Sequence, residues 1–286
     1  MKNINSILLA IAAICLLSFV ALGQNLKVEE IITKHNDAIG KKVLRDQVET
    51  LLLGGANEFQ SKLPSITGGG KALVVSDAKN LFFLLSLNSK EYPYEKIGYF
   101  NDKISLPFVT AGARSPLGGF IAEHPRLLDN GLFMGCMSQR WTLLDSQKYG
   151  AKIISGGTKK VDGRKAYMLE YYPSDGASSE FTMRIFIDAE TFNHVRTEYY
   201  HEISPKEDTF GTLGRQAGTK LILRENFSDF RTADGFTRPY VYKVQFESSS
   251  QSGLFEYDWT IKVAQYYLNQ KLAPDFFTFE EKPAGK

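Results

Sequence analysis

Between Val161 and Tyr200 the chain runs through three β-prone stretches, Arg164–Tyr172, Glu180–Ile187 and Asn193–Tyr200. Turn formers in Pro173–Ser179 and Asp188–Phe192 separate them. In the middle stretch Phe181, Met183, Ile185 and Ile187 fall on one face and Thr182, Arg184 and Phe186 on the other, the period of a half-buried strand. An antiparallel meander with one face on a core is therefore the frame into which the rest of the chain must fit. Three more long β-prone runs follow, Lys220–Phe230, Phe236–Phe246 and Leu254–Tyr267, with Asp234-Gly235 as a tight turn and Ser204–Gly218 as a polar loop.

Upstream, Val28, Ile31, Ile32, His35, Ala38 and Ile39 recur at helical spacing, with Asn25 as N-cap and Gly40 as the stop. His35 reads as a half-buried residue of the packing face. Strand-like runs follow at Gln47–Phe59, Lys71–Val75 and Leu81–Leu87, the first two separated by a break at Leu63–Gly70. Thr67–Ala72 lacks the first glycine and the Ser/Thr of a phosphate-binding loop, so that reading fails and the segment reads as a flexible turn. Leu81-Phe82-Phe83-Leu84-Leu85 does not alternate, so apolar side chains leave both faces and each face needs cover.

The strand rhythm breaks between residues 106 and 146. Phe108, Leu117, Phe120, Ile121, Leu132, Phe133, Met137 and Trp141 are interleaved there with glycines, and short helices are expected at Pro116–Glu123 and Arg140–Leu144. Two readings stay open for this insert: short helices capping a barrel mouth, or an apolar lid facing a ligand.

Lys2, the apolar run Ile7–Leu22 and Ala21-Leu22-Gly23 have the pattern of an export signal cleaved after Gly23. Residues 24–286 are then expected to form one exported, periplasmic domain. Without the signal, Cys136 is the only cysteine, so stability must come from packing and no internal disulfide can close. A net charge of +2 with no basic block argues against nucleic acid as a partner.

No G-x-S-x-G, H-E-x-x-H or C-x-x-C motif is present, which removes the usual starting points for serine-hydrolase, zinc-protease and thiol-redox chemistry. The densest polar cluster is His194, Arg196, Glu198, His201, Glu202, Glu207 and Asp208. Simple alternation puts His194, Arg196 and Glu198 on one face and His201 on the other, and so describes a solvated face rather than a metal site. The expectation is no enzyme, no catalytic residue, no metal and no cofactor.

One amphipathic helix ended by Gly40, a long meander with turns at Asp162-Gly163 and Asp188–Thr191, an apolar insert, and aromatics at Pro274–Phe279 together make a segment order. It resembles the LolA/LolB-like lipoprotein-sorting carriers. That resemblance implies a mostly β (α+β) fold: an incomplete, strongly curved antiparallel β-barrel with an N-terminal helix and short helices over an apolar concave face that binds acyl chains. It makes Leu81, Phe83 and Leu85 cavity residues and the insert a lid, with Phe108, Leu117, Phe120, Ile121, Leu132, Phe133, Met137 and Trp141 as lid or cavity residues. Arg45 and Arg114 are the candidates for the family's lid-locking arginine. The expected partner is a lipid or lipoprotein acyl chain, with envelope membrane proteins as further partners and a monomeric carrier. An envelope hydrolase with an unrecognised site and an interaction module using the insert are the alternatives.

Overall fold

The computed structural model describes residues 26–63, 65–174, 181–203, 218–250, 253–273 and 275–277. The expected signal, Asn25, Glu207 and Asp208 lie outside them. Helix α1 (Val28–Ile39) buries Ile31, His35 and Ile39. Its N-cap is Lys27 rather than Asn25, because the Glu30 carboxylate reaches back to accept the Lys27 N–H at 2.9 Å. Gly40 follows α1 where an added Cβ would meet the Phe236 ring at 2.9 Å. A short helix α2 (Lys42–Arg45) leads into the sheet.

Among the described residues twelve antiparallel strands form one open sheet: β1 (Thr50–Ser61), β2 (Ile66–Asp77), β3 (Leu81–Ser86), β4 (Tyr94–Phe100), β5 (Lys103–Ser105), β6 (Lys152–Val161), β7 (Arg164–Tyr172), β8 (Phe181–Asp188), β9 (His194–Ile203), β10 (Thr219–Ala233), β11 (Phe236–Ser250) and β12 (Gly253–Leu268). Their spatial order is β5-β4-β3-β2-β1-β12-β11-β10-β9-β8-β7-β6. The chain therefore builds outward from a central β1–β12 seam, and β5 and β6 are the two edges. Asp162-Gly163 and Asp234-Gly235 make two-residue turns with positive φ at both positions, as an Asp-Gly pair favours.

Thr67–Ala72 is not the flexible turn expected and the break at Leu63–Gly70 is shorter than expected, since β2 starts at Ile66 and Gly68, Gly69 and Gly70 pair with Phe59, Glu58 and Asn57. The glycines are there for closeness: a Cβ would lie 2.4 Å from the Leu87 carbonyl at Gly68 and 2.4 Å from the Ser86 carbonyl at Gly70. On β1, Gly55 sits at a register shift where a Cβ would meet the Lys262 carbonyl at 2.2 Å. Missing side chains along this line let the backbone approach and the sheet curl.

Along β3 the inward side chains Leu81, Phe83 and Leu85 are buried, and the outward Phe82 packs on Phe276 of the C-terminal segment at 5.4 Å. That supplies the second cover which the unbroken apolar run demands. Met183, Ile185 and Ile187 of β8 join the concave core, and Phe186 joins a small convex cluster with Val161, Ala166 and Met168.

Candidate functional site: a plugged concave face

Because β5 ends at one edge of the sheet and β6 begins at the other, residues 106–151 must cross the concave side between them. They do so as helix α3 (Pro116–Glu123), one turn of helix α4 (Arg126–Asp129), a 3-10 turn at Gly135–Met137 and a string of turns. The expected helix at Arg140–Leu144 is absent; those residues turn, with Trp141, Thr142 and Leu143 all buried. Leu117, Phe120, Ile121, Leu132, Phe133 and Met137 all face the sheet at 3% exposure or less. Phe133 meets Phe83 at 5.5 Å between ring centroids, and Phe120 meets Phe246 at 5.1 Å. Phe108 stands apart: it is 42% exposed under the Arg114 guanidinium.

Buried polar groups tie this plug to the sheet. Ser115 caps α3, accepting from Gly118 N at 2.8 Å, and donates its hydroxyl to Glu95 Oε1 of β4 at 2.7 Å. Glu95 also accepts from the Tyr92 hydroxyl, which in turn accepts from Trp259 Nε1 at 3.2 Å. Near the other end, Glu225 of β10 accepts from Met134 N at 2.7 Å and from the Tyr199 hydroxyl at 2.8 Å, and from Tyr242. Burial pushes both carboxyls up to about 7, against the pull of these donors.

A third tie joins the plug to α1. Trp141 Nε1 donates to His35 Nε2 at 2.9 Å, so His35 is neutral there and Nδ1 donates to the Phe192 carbonyl at 2.9 Å. Burial holds His35 down to about 4. Asn36 Nδ2 donates to the Leu143 carbonyl at 2.7 Å, and the Gln139 amide to Ser76 Oγ at 3.0 Å. Gly135 (φ 44°) passes so close to His194 that a Cβ would lie 2.3 Å from its ring. Cys136 beside it is buried, and burial pushes its thiol up to about 12.

The polar cluster of β9 is rearranged. A register shift between Phe186 and Ile187 pairs them with Arg196 and His194, so Val195 is the extra residue of a bulge. His194 is thereby turned inward with Thr197, Tyr199 and His201, while Arg196 and Glu198 face outward in a network with Arg224 and Asn226. His194 is fully buried, stacked on Trp141 at 4.6 Å, with Nε2 on Thr197 Oγ1 at 2.8 Å. His201 meets His124 of the plug, Nδ1 to Nε2, at 3.2 Å. The two histidines thus share a face, contrary to simple alternation. Among the described residues no group of three or more His, Cys, Asp or Glu is placed to hold a metal.

A LolA superfamily protein from Nitrosomonas europaea shares this architecture, with a TM-score of 0.51 and 14% sequence identity over 89% of this chain and 98% of that one. The fold is that of the LolA superfamily. Also similar are an outer membrane lipoprotein-sorting protein domain from Vibrio parahaemolyticus (TM-score 0.44, 12% identity, 87% and 95% of the two chains) and a DUF1329 family protein from Desulfovibrio piger (TM-score 0.39, 14% identity, 88% and 97%). No family model and no curated protein matches the sequence.

In this LolA-like fold, Arg45 of α2 donates to the Gly40 carbonyl at 2.7 Å and also to that of Asn36, closing the end of α1, and Arg114 Nε, within the insert, donates to the Leu106 carbonyl at 3.0 Å. Neither bonds the centre of the plug. The ties at Glu95, Glu225, His35 and Ser115 were not foreseen. Glu225 had a usable signal: with Leu221, Leu223 and Phe227 it occupies the inward positions of β10, where an acid needs partners.

Proposed function

We propose that this protein is an exported carrier that accepts an acyl chain or a similar lipid-like ligand on its concave face by displacing the plug. The observation that supports it is an apolar insert stretched from edge to edge of an open sheet and held by a few discrete polar ties. A dodecyl chain gains roughly 9 kcal/mol at about 0.8 kcal/mol per buried methylene. Leu117, Phe120, Ile121, Leu132, Phe133 and Met137 represent roughly 9–18 kcal/mol of burial at about 1.5–3 kcal/mol each, so exchange of part of the plug for a chain is close to balanced. A carrier needs that balance, because it must load and then release. Leu81, Phe83 and Leu85 would line the uncovered face, with Trp141 at the tie to α1. Phe108, outside the plug, would contribute least. Residues 1–23 serve as a removed export signal, and the working compartment is the periplasm.

The test is a plug that can be locked. Ser76→Cys with Gln139→Cys, in a Cys136→Ser background, is designed to bridge the plug to β2 beside the 3.0 Å hydrogen bond from the Gln139 backbone N–H to Ser76 Oγ. The reduced protein is expected to bind a fluorescent fatty acid and the oxidised protein to bind it at least 10-fold more weakly, with binding restored by dithiothreitol. Equal binding in the two states, or none in the reduced state, rejects displacement.

A further inference from the structure

Arg238 lies on the inward face of β11 between Phe236 and Tyr240, and it is 5% exposed. A guanidinium buried to that degree ordinarily has a carboxylate or several carbonyls around it, because an unpaired buried charge is costly. Arg238 has neither among the described residues. Its neighbours are rings: its guanidinium carbon stands 4.9 Å from the Phe236 centroid and 5.6 Å from that of Tyr266. The nearby Cys136 is a neutral thiol, since burial raises its pKa to about 12, and Tyr266 is likewise held protonated by burial.

Two hollows meet at this side chain. On the outer side a cleft of about 220 Å³ is lined by Arg238 with Arg231, Asp234, Tyr240, Tyr266 and Leu268 among others. On the inner side a void of about 20 Å³, the size of one water, lies between Arg238, Phe236, Cys136 and Arg45. The other charges are accounted for. Arg231 is paired with Asp229 and lies over Tyr240 at 4.4 Å, and Arg45 is bonded to the carbonyls closing α1. Asp234 at the rim is the acid of the cleft. With Arg231 offset by Asp229, the remaining charges of the lining are Arg238 and Asp234, and among the described residues Arg238 is the cation of this lining that has no ion pair.

We propose that this cleft is an anion site in which Arg238 binds a carboxylate or phosphate group, the rings of Tyr240 and Tyr266 and the side chain of Leu268 packing against whatever apolar chain the group carries. A planar guanidinium offers parallel N–H donors that match either anion. The rings beside it hold that geometry and exclude water, which strengthens the pair. The site depends on Arg238 and not on movement of the plug, so it stands or falls separately from the carrier reading.

Calorimetric titration with dodecanoate, dodecyl phosphate, dodecanol and sodium phosphate tests it. Both anionic amphiphiles are expected to bind at least 10-fold more tightly than dodecanol. Arg238→Met should bring them to the level of the alcohol, and Arg238→Lys should keep part of the difference. Sodium phosphate binding as tightly as dodecyl phosphate would support the site and make the free anion its ligand; weaker binding would support it with the amphiphile as ligand. Arg238→Met should also melt no lower than the wild type, because it removes a charge without a partner. The proposal is overturned if dodecanol matches the anions, if Arg238→Met leaves anion binding unchanged, or if that variant loses stability as a structural arginine would. Dodecanol binding alone would support plug displacement without an anion site, and anion binding alone the reverse.

Discussion

Glu225 gathers three donors from three parts of the chain, and yet burial raises its pKa from 4.5 to about 7. A carboxyl that holds its proton more tightly when folded contributes stability that is complete below pH 4.5 and is lost as pH rises through 7. The amount is on the order of 3 kcal/mol for a shift of this size. His35, held down to about 4, works the other way: its contribution is present above pH 6.5 and lost as pH falls toward 4. His124, also lowered to about 4, adds to the loss on the acid side. Glu225→Gln isolates one of these opposed effects. In urea unfolding the variant should be weaker than the wild type at pH 5 and recover relative to it by pH 8. An equal gap at the two pH values would mean that Glu225 keeps one charge state throughout. None of this was visible in composition; it depends on which inward position of β10 carries an acid.

At the scale of elements, the plug behaves as a separate unit stitched on at few points. Trp141→Phe keeps an aromatic ring but removes the N–H with part of the indole, leaving the buried His35 Nε2 without its donor at a cost of about 1–3 kcal/mol, to which the vacated volume adds. Hydrogen exchange should quicken over residues 132–141 while the β10–β11 pair keeps its protection, whereas a uniform loss would show that plug and sheet open together. The elements that could be read from sequence were those whose local chemistry agrees with their tertiary setting. The helix Pro116–Glu123 has Ser115 as cap and proline at its first position, and the Asp-Gly turns need only their own two residues. What misled was tertiary demand. Gly68–Gly70 looks like a loop until a neighbouring backbone needs the space, and the bulge at Val195 reverses the parity that had put His194 in solvent. The short strands Tyr94–Phe100 and Lys103–Ser105 carry too little pattern to stand out, and Glu95 was missed with them.

For the whole molecule, the open curved sheet and its covered concave side follow from the meander and the insert, as the segment order implied. The anion cleft could not be anticipated, since Arg238, Tyr266 and Leu268 come together only through the β11–β12 pairing. The central seam of the sheet has a consequence for how the protein comes into being. Glu49 and Asn269, bonded beside that seam, are 220 positions apart, whereas the β10–β11 pair is joined by a two-residue turn. Closing so long a loop costs chain entropy that no local contact offsets beforehand, so the hairpins form first and the seam is the late event of folding. Ile261, wholly buried on β12, reports on it. Ile261→Val, a loss of about 1 kcal/mol, should speed unfolding severalfold and leave the refolding rate almost unchanged in a chevron. The two half-sheets, β1–β5 and β6–β11, must therefore wait for β12, the last of the twelve strands, before they become one.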